Sequence, residues 1–122
     1  MSAKVLKITK TRVYKKLFKS SGRLVRRNYI LLYITRKNIN SSMASINFGI
    51  TTSKKIGNAV TRNRCKRVIR ILIKRVRPID LENHLYINII ARKFLVNKKT
   101  HAIQNSFNID IKKVASYEKS HN

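Results

Sequence analysis

The sequence of 122 residues contains few acidic residues and little cysteine, glycine or proline. Its 4 Asp and Glu residues (Asp80, Glu82, Asp110 and Glu118) are dispersed, with no carboxylate partner three or four positions away. Metal-dependent nucleases hold their cations with clustered carboxylates, so the pattern predicts no metal site and no catalytic residue in this chain. The single cysteine, Cys65, excludes a disulfide framework and a multi-thiolate metal site.

Long apolar segments are also missing. The longest unbroken apolar run covers residues 29–34, whereas a membrane helix needs roughly 18 residues. The N-terminus lacks the apolar stretch of a signal peptide. With 43% hydrophobic residues the chain can still form a core. These features predict a single domain that is soluble and cytoplasmic and has no membrane partner.

Positive charge is the most abundant feature. The chain carries 29 Lys and Arg and a formal net charge of +25. The basic residues are concentrated in residues 53–77, a segment without any acidic residue. A protein with this charge gains binding free energy when it releases counterions from nucleic-acid phosphates. The sequence therefore predicts a nucleic-acid partner.

The periodicity of apolar residues predicts three helices and three strands in an α+β arrangement. A further, weaker strand is expected at residues 22–25, and residues 1–9 and 118–122 are expected to be loose. The helices are predicted over residues 10–19, 58–76 and 99–117, and the strands over residues 27–35, 46–52 and 85–91.

The second predicted helix has one apolar and one basic side. Gly57 permits a tight turn before it, and Asn58 is suited to cap its first turn. At 100° per residue, Cys65 and Ile69 fall on one side, and Arg67 falls on the other. No acidic residue is interleaved to form ion pairs along this helix, which favours phosphate groups as its partners.

The basic segment resembles the signature of the bacterial ribonuclease P protein family. The resemblance rests on Arg62-Asn63-Arg64, followed by Lys66-Arg67 and Arg70, and extends more loosely from Tyr14 to Tyr117. It implies a two-layer α+β sandwich of the order α-βββ-α-β-α with a left-handed βαβ crossover, like the second domain of ribosomal protein S5.

The resemblance also implies a division of labour in an endoribonuclease. A catalytic RNA subunit would hold Mg²⁺ and cleave precursor tRNA to give the mature 5′ end. The protein would bind no cofactor itself and would join the RNA as one protein per RNA. The residues that would bind the catalytic RNA are Lys54, Lys55, Asn58, Arg62, Asn63, Arg64, Lys66, Arg67 and Arg70.

A second implied site holds the single-stranded 5′ leader of precursor tRNA, in a cleft between the first helix and the sheet. Tyr14 and Phe18 match the aromatic pair that the family places on that helix. An aromatic side chain can stack an unpaired base without selecting which base it is. The other candidate leader-binding residues are Arg12, Lys15, Tyr29, Tyr33, Phe48, Ile50, Arg92 and Lys93. Either Leu32 or Tyr33 could match the family's strand aromatic.

Two alternatives share the basic helix. A ribosomal-type structural RNA-binding protein would have no reason for aromatic residues aimed at a cleft. A DNA-binding regulator would place the helix in a major groove, where its positive side chains leave few neutral groups except Asn63 to read base edges.

Overall fold

The structure, a computed structural model, describes residues 2–20, 22–39 and 43–120. Within these residues the chain forms five β-strands and three α-helices, with short 3₁₀ turns at Lys54–Ile56 and Lys93–Leu95. In chain order the elements are β1 (Lys4–Lys7), α1 (Thr11–Ser20), β2 (Gly22–Val25), β3 (Tyr29–Arg36), β4 (Ser45–Thr51), α2 (Ala59–Lys74), β5 (His84–Ala91) and α3 (Thr100–Ser120).

The strands form one sheet in the order β1-β4-β5-β3-β2. Strands β4 and β5 are parallel neighbours joined by α2, which gives the parallel βαβ unit that the resemblance implies. Strand β3 is antiparallel to both β5 and β2. Because β4 and β5 run in the same direction, the segments that follow them begin at the same end of the sheet.

Helices α2 and α3 cover one face of the sheet and form the main core with it. Leu31 on β3 and Ile87 on β5 are wholly buried there, together with Leu72 on α2 and Phe107 on α3. The ring of Phe107 meets that of Tyr29 edge to face, with 5.7 Å between the ring centroids. This side of the molecule supplies most of the buried apolar surface and therefore most of the hydrophobic stabilisation.

A buried carboxylate fixes α3 to the sheet. Asp110 accepts a hydrogen bond of 2.5 Å from the Tyr29 hydroxyl and one of 3.0 Å from the Arg26 guanidinium. Burial and the neighbouring Asp110 raise the pKa of Tyr29 well above its usual value. The phenol thus stays protonated and keeps donating to α3.

Helix α1 lies alone on the other face. Leu17 is its wholly buried residue and packs with Ile8 and Leu32 in a second, much smaller cluster. The apolar side chains around this cluster are only half-buried. Helix α1 is therefore held to the sheet by a small apolar contact centred on Leu17.

The α+β class and the order of the main elements are confirmed. The weak strand at Gly22–Val25 is present as β2. The expectation of a loose arm over residues 1–9 is wrong for Lys4–Lys7, because these residues pair in parallel with β4. At the other end, α3 continues to Ser120, and the prediction for residues 121–122 lies outside the described residues.

Candidate nucleic-acid interface

The start of α2 is fixed by a glycine and a capping side chain. Gly57 has a φ angle of 150°, a conformation that residues with a side chain rarely adopt. The Asn58 side-chain oxygen accepts a hydrogen bond of 3.0 Å from the backbone N–H of Thr61. This satisfies one of the unpaired donors of the first turn and is worth about 1 kcal/mol. The predicted cap is confirmed, so the Asn58 oxygen already has a structural partner.

The two sides of α2 are separated as the sequence predicts. Cys65, Ile69 and Leu72 are buried in the main core, and burial raises the pKa of the Cys65 thiol. The polar residues of the predicted RNA-binding set lie outside the core: Asn63, Arg64, Arg67 and Arg70 are exposed, and Arg62 and Lys66 are half-buried. Among the side chains that the structure describes, none of these cations forms an ion pair. The helix therefore presents uncompensated positive charge to solvent.

Further cations gather where β4 and β5 end. Lys54 and Lys55 are exposed in the turn after β4, and Lys93 is exposed after β5. Arg92 differs from these lysines, because it is half-buried and its guanidinium donates a hydrogen bond of 2.8 Å to the carbonyl of Arg26. The structure thus brings the predicted basic positions to one end of the sheet, with Arg92 partly engaged in holding a neighbouring turn.

The aromatic pair of α1 has two different environments. Phe18 is 57% exposed, which argues against a role in the core. Tyr14 is half-buried, and its ring lies against Gly49 on β4, where an added β-carbon would come within 2.6 Å of the ring. Arg12 and Lys15 on the same helix are exposed. An aromatic ring and cations are therefore available to solvent on α1.

Of the four predicted floor residues, Tyr29 and Tyr33 are engaged by α3, whereas Phe48 and Ile50 also line a groove that includes Tyr14. Tyr29, Tyr33, Phe48 and Ile50 belong to the core under α2 and α3, on the face of the sheet opposite to α1. Tyr29 donates its hydroxyl to Asp110, and Tyr33 stacks on Tyr117 of α3 with 5.9 Å between ring centroids. Side chains alternate along a strand, so Tyr29 and Tyr33 point away from α1.

The sequence did not decide whether Leu32 or Tyr33 faces α1, and the structure places Leu32 on that face. It lies on the α1 face, where it is buried beneath Leu17 rather than open to a ligand. Beside it, Asn88 on β5 is wholly buried, accepts a hydrogen bond of 3.0 Å from the Thr51 hydroxyl, and leaves its side-chain N–H₂ without a partner. The sequence analysis missed Asn88, although a polar residue in an otherwise apolar strand was a visible signal.

A groove beside β1 and β4 connects the α1 and α2 sides of the sheet. It has a volume of about 550 Å³ and is bounded by Tyr14 on one side and by Lys66 and Arg70 on the other. Phe48 and Ile50 line this groove together with Gly49. Its outer rim is formed by β1, which the sequence analysis did not expect to be ordered, and includes Val5 and Leu6.

Acidic and other side chains that could bind a metal ion are scattered along the chain. Within the described residues there is no group of three or more His, Cys, Asp or Glu side chains that could hold a metal ion. No helix in the described part of the chain is long and apolar enough to cross a membrane. The candidate site therefore consists of cations, an exposed aromatic ring and amide groups.

Comparison with known proteins identifies the family. The family model for Ribonuclease P matches residues 3–115, which is most of the chain. The chain belongs to the ribonuclease P protein family. Membership in this family implies a part in the endoribonuclease that processes the 5′ end of tRNA, and it removes the support for a ribosomal protein or a DNA-binding regulator.

Ribonuclease P protein components from several bacteria resemble this chain along most of their length. The Thermoanaerobacter sp. component is 30% identical over 117 residues, covering 96% of both chains. The Listeria welshimeri component is 35% identical over 104 residues, covering 84% of this chain and 82% of the other.

Solved ribonuclease P proteins share the fold. The Staphylococcus aureus protein superposes with a TM-score of 0.62 at 27% identity, covering 89% of this chain and 96% of the other. A mutant of that protein described as defective in mRNA degradation gives a TM-score of 0.64 at 27% identity, with 88% of this chain and 86% of that chain covered. The Thermotoga maritima protein gives a TM-score of 0.67 at 22% identity, covering 88% of this chain and 96% of that chain. At this identity the similarity shows the fold alone.

Proposed function

We propose that this chain is the protein subunit of ribonuclease P, binding both the catalytic RNA and the 5′ leader of precursor tRNA. In this role it assists endonucleolytic removal of the leader. The observation that carries the proposal is the exposed basic side of α2, whose cations form no ion pair among the described side chains. Phosphate groups of an RNA would supply the missing negative charge.

Helix α2 is the proposed contact with the catalytic RNA. Arg62, Arg64 and Arg67 bind RNA phosphates, and the capped turn after Gly57 directs backbone N–H groups at the helix start toward an anion. Lys54 and Lys55 extend the same positive surface. The protein joins the RNA as one copy per RNA and holds no cofactor. Mg²⁺ would be held by the RNA subunit and would supply the chemistry of cleavage there, while the protein binds and orients the RNA.

Helix α1 is the proposed contact with the leader. Phe18 offers an exposed ring on which an unpaired base can stack, an interaction worth about 1–3 kcal/mol. Arg12 and Lys15 lie exposed on the same helix and hold leader phosphates. Tyr14 contributes through its partly open ring beside Gly49, and Lys93 through its charge.

Reconstitution tests the proposal directly. The purified chain is combined with a bacterial ribonuclease P RNA, and cleavage of precursor tRNA is measured at a low Mg²⁺ concentration where the RNA alone is nearly inactive. We expect accurate 5′ cleavage that depends on both components. A chain that binds the RNA but leaves cleavage at the level of the RNA alone would refute the subunit role.

A second candidate function is a part in mRNA degradation. It is favoured only by the description of the S. aureus mutant as defective in mRNA degradation. We expect the RNA-free chain to produce no accurate 5′ cleavage of precursor tRNA with Mg²⁺. In parallel, an unstructured mRNA fragment is incubated with the parent chain and with an Arg62→Ala/Arg64→Ala/Arg67→Ala variant. Fragmentation that occurs with the parent and is lost with the variant would establish this second activity.

A further inference from the structure

A second exposed aromatic side chain lies away from α1, at the end of the sheet where β5 stops. Phe94 occupies the middle of the 3₁₀ turn Lys93–Leu95 and is 49% exposed. The next residue, Leu95, is wholly buried in the main core and anchors the turn. The exposed ring is therefore carried by a fixed segment.

A guanidinium group covers part of this ring. The Cζ atom of Arg27, in the turn between β2 and β3, lies 4.6 Å from the centroid of the Phe94 ring. Arg92 ties the two segments together, because its backbone N–H donates to the Asn28 carbonyl at 3.1 Å and its side chain donates to the Arg26 carbonyl at 2.8 Å. The two turns that carry the pair are thus held together before any ligand arrives.

The surroundings of the pair are cationic and polar. Arg27 and Lys93 are exposed beside the ring, and Asn28 has a buried side-chain oxygen without a hydrogen-bond partner. A protein-docking patch would have apolar neighbours around an exposed phenylalanine. An aromatic ring flanked by arginine and lysine is instead suited to a nucleotide, since the base stacks on the ring and the cations meet its phosphate.

We propose that Phe94 and Arg27 form a base-stacking site for an unpaired RNA nucleotide, built from different elements than α1. This inference rests on the proposed RNA-binding function and adds a second stacking position to it. The ligand is single-stranded RNA, because bases in a duplex have no free face to place on the ring.

The absence of tryptophan from the chain permits a direct test. A Phe94→Trp variant carries a single tryptophan, which can be excited selectively, at the proposed site, and a Phe18→Trp variant serves as the matched probe on α1. Each variant is titrated with an eight-nucleotide single-stranded RNA and with a duplex of the same length, while binding is followed independently by the anisotropy of labelled RNA. We expect the single strand to quench the Phe94→Trp emission and the duplex to leave it nearly unchanged.

Affinity measurements on the free protein separate stacking from charge. Phe94→Ala and Phe94→Leu are each expected to weaken binding of the single strand by about 5- to 150-fold without changing the salt dependence. Arg27→Ala lowers the log–log salt slope by about 0.7, which corresponds to one phosphate contact on single-stranded RNA. Ile109→Ala, which truncates a similarly exposed apolar side chain on α3, is the control and leaves binding unchanged.

The possible outcomes distinguish this site from the proposed function. Binding of the single strand without quenching of Phe94→Trp, together with unchanged affinity of Phe94→Ala, overturns the Phe94 site even if Phe18→Trp responds and the reconstituted enzyme is active. Quenching at Phe94 together with failed reconstitution would instead support the site and refute the ribonuclease P role. Failure of the parent chain to bind the single strand at all overturns both.

Discussion

The two faces of the sheet use their helices in different ways. On one face, α2 and α3 bury a large apolar surface, and α2 is left free to carry cations on its outer side. On the other face, α1 is held mainly by Leu17, and it leaves the ring of Phe18 in solvent. Charge is thus carried by a firmly anchored helix, whereas the proposed stacking group is carried by a lightly anchored one. Substitutions on the outer side of α2 should therefore change RNA binding with little effect on stability. On α1, substitution of Leu17 should change stability, and substitution of Phe18 should change binding.

The largest effect is expected on the charged side of α2. Replacing Arg62, Arg64 and Arg67 by Ala removes three proposed phosphate contacts and should reduce the log–log salt slope for binding the catalytic RNA by about 2–3. The melting temperature should change little, because these side chains lie outside the buried side of the helix. RNA affinity measured across a series of salt concentrations tests this expectation.

A charge-matched variant provides the control for α2. Lys98, Lys112 and Lys113 are exposed on other parts of the surface, and replacing all three by Ala removes the same net charge. We expect a smaller change in slope than for the α2 variant. Equal slopes for the two variants would mean that binding depends on net charge alone and would remove α2 from the interface.

The next effect concerns the anchor of α1. Leu17→Ala should lower the free energy of unfolding by about 2–5 kcal/mol, the usual cost of truncating a buried leucine. Hydrogen exchange should show the loss first in α1, because the rest of its apolar contact is half-buried, whereas α2 and α3 keep their protection. Uniform loss of protection across all three helices would contradict the view that α1 is separately and lightly anchored.

The sequence predicted the elements well because their apolar periods are clear. The basic and apolar sides of α2 and the cap at Asn58 follow from local spacing and appear as expected. Strand β1 was missed because Lys4–Lys7 has no alternation of its own. Its four residues are exposed, and the strand exists because its backbone pairs with β4. Such an edge strand is specified by tertiary pairing rather than by local pattern.

The face of the sheet that α1 covers could not be assigned from the sequence, for a different reason. Strand β3 is apolar on both faces, so alternation groups Tyr29 with Leu31 and Tyr33 without indicating which helix covers them. On β4 the shared face of Phe48 and Ile50 was predicted correctly; that face lies under α2 and α3, and the two residues also line the groove that includes Tyr14. Alternation fixes which residues share a face, and only the packing of the helices assigns the face.

A smaller effect, in binding rather than stability, is expected for the exposed ring of α1. Phe18→Ala should weaken the affinity of the holoenzyme for leader-bearing precursor tRNA by about 1–3 kcal/mol, or roughly 5- to 150-fold. Mature tRNA has no leader, and its affinity should hardly change. The melting temperature should stay close to that of the parent, because Phe18 is 57% exposed. A variant that melts much lower and still discriminates between the two RNAs would return Phe18 to the core.

The smallest effect is expected for Tyr33, and it tests the assignment of the two faces. Tyr33→Leu keeps an apolar side chain under α3 but removes the stacking on Tyr117, which should cost about 0.5–1.5 kcal/mol of stability. Discrimination between precursor and mature tRNA should be unchanged, because the side chain lies on the face opposite to α1. Both affinities are measured with the same holoenzyme preparation as for Phe18→Ala. A loss of discrimination as large as that of Phe18→Ala would place the leader on the α3 side of the sheet, since no α1 contact is altered by this substitution.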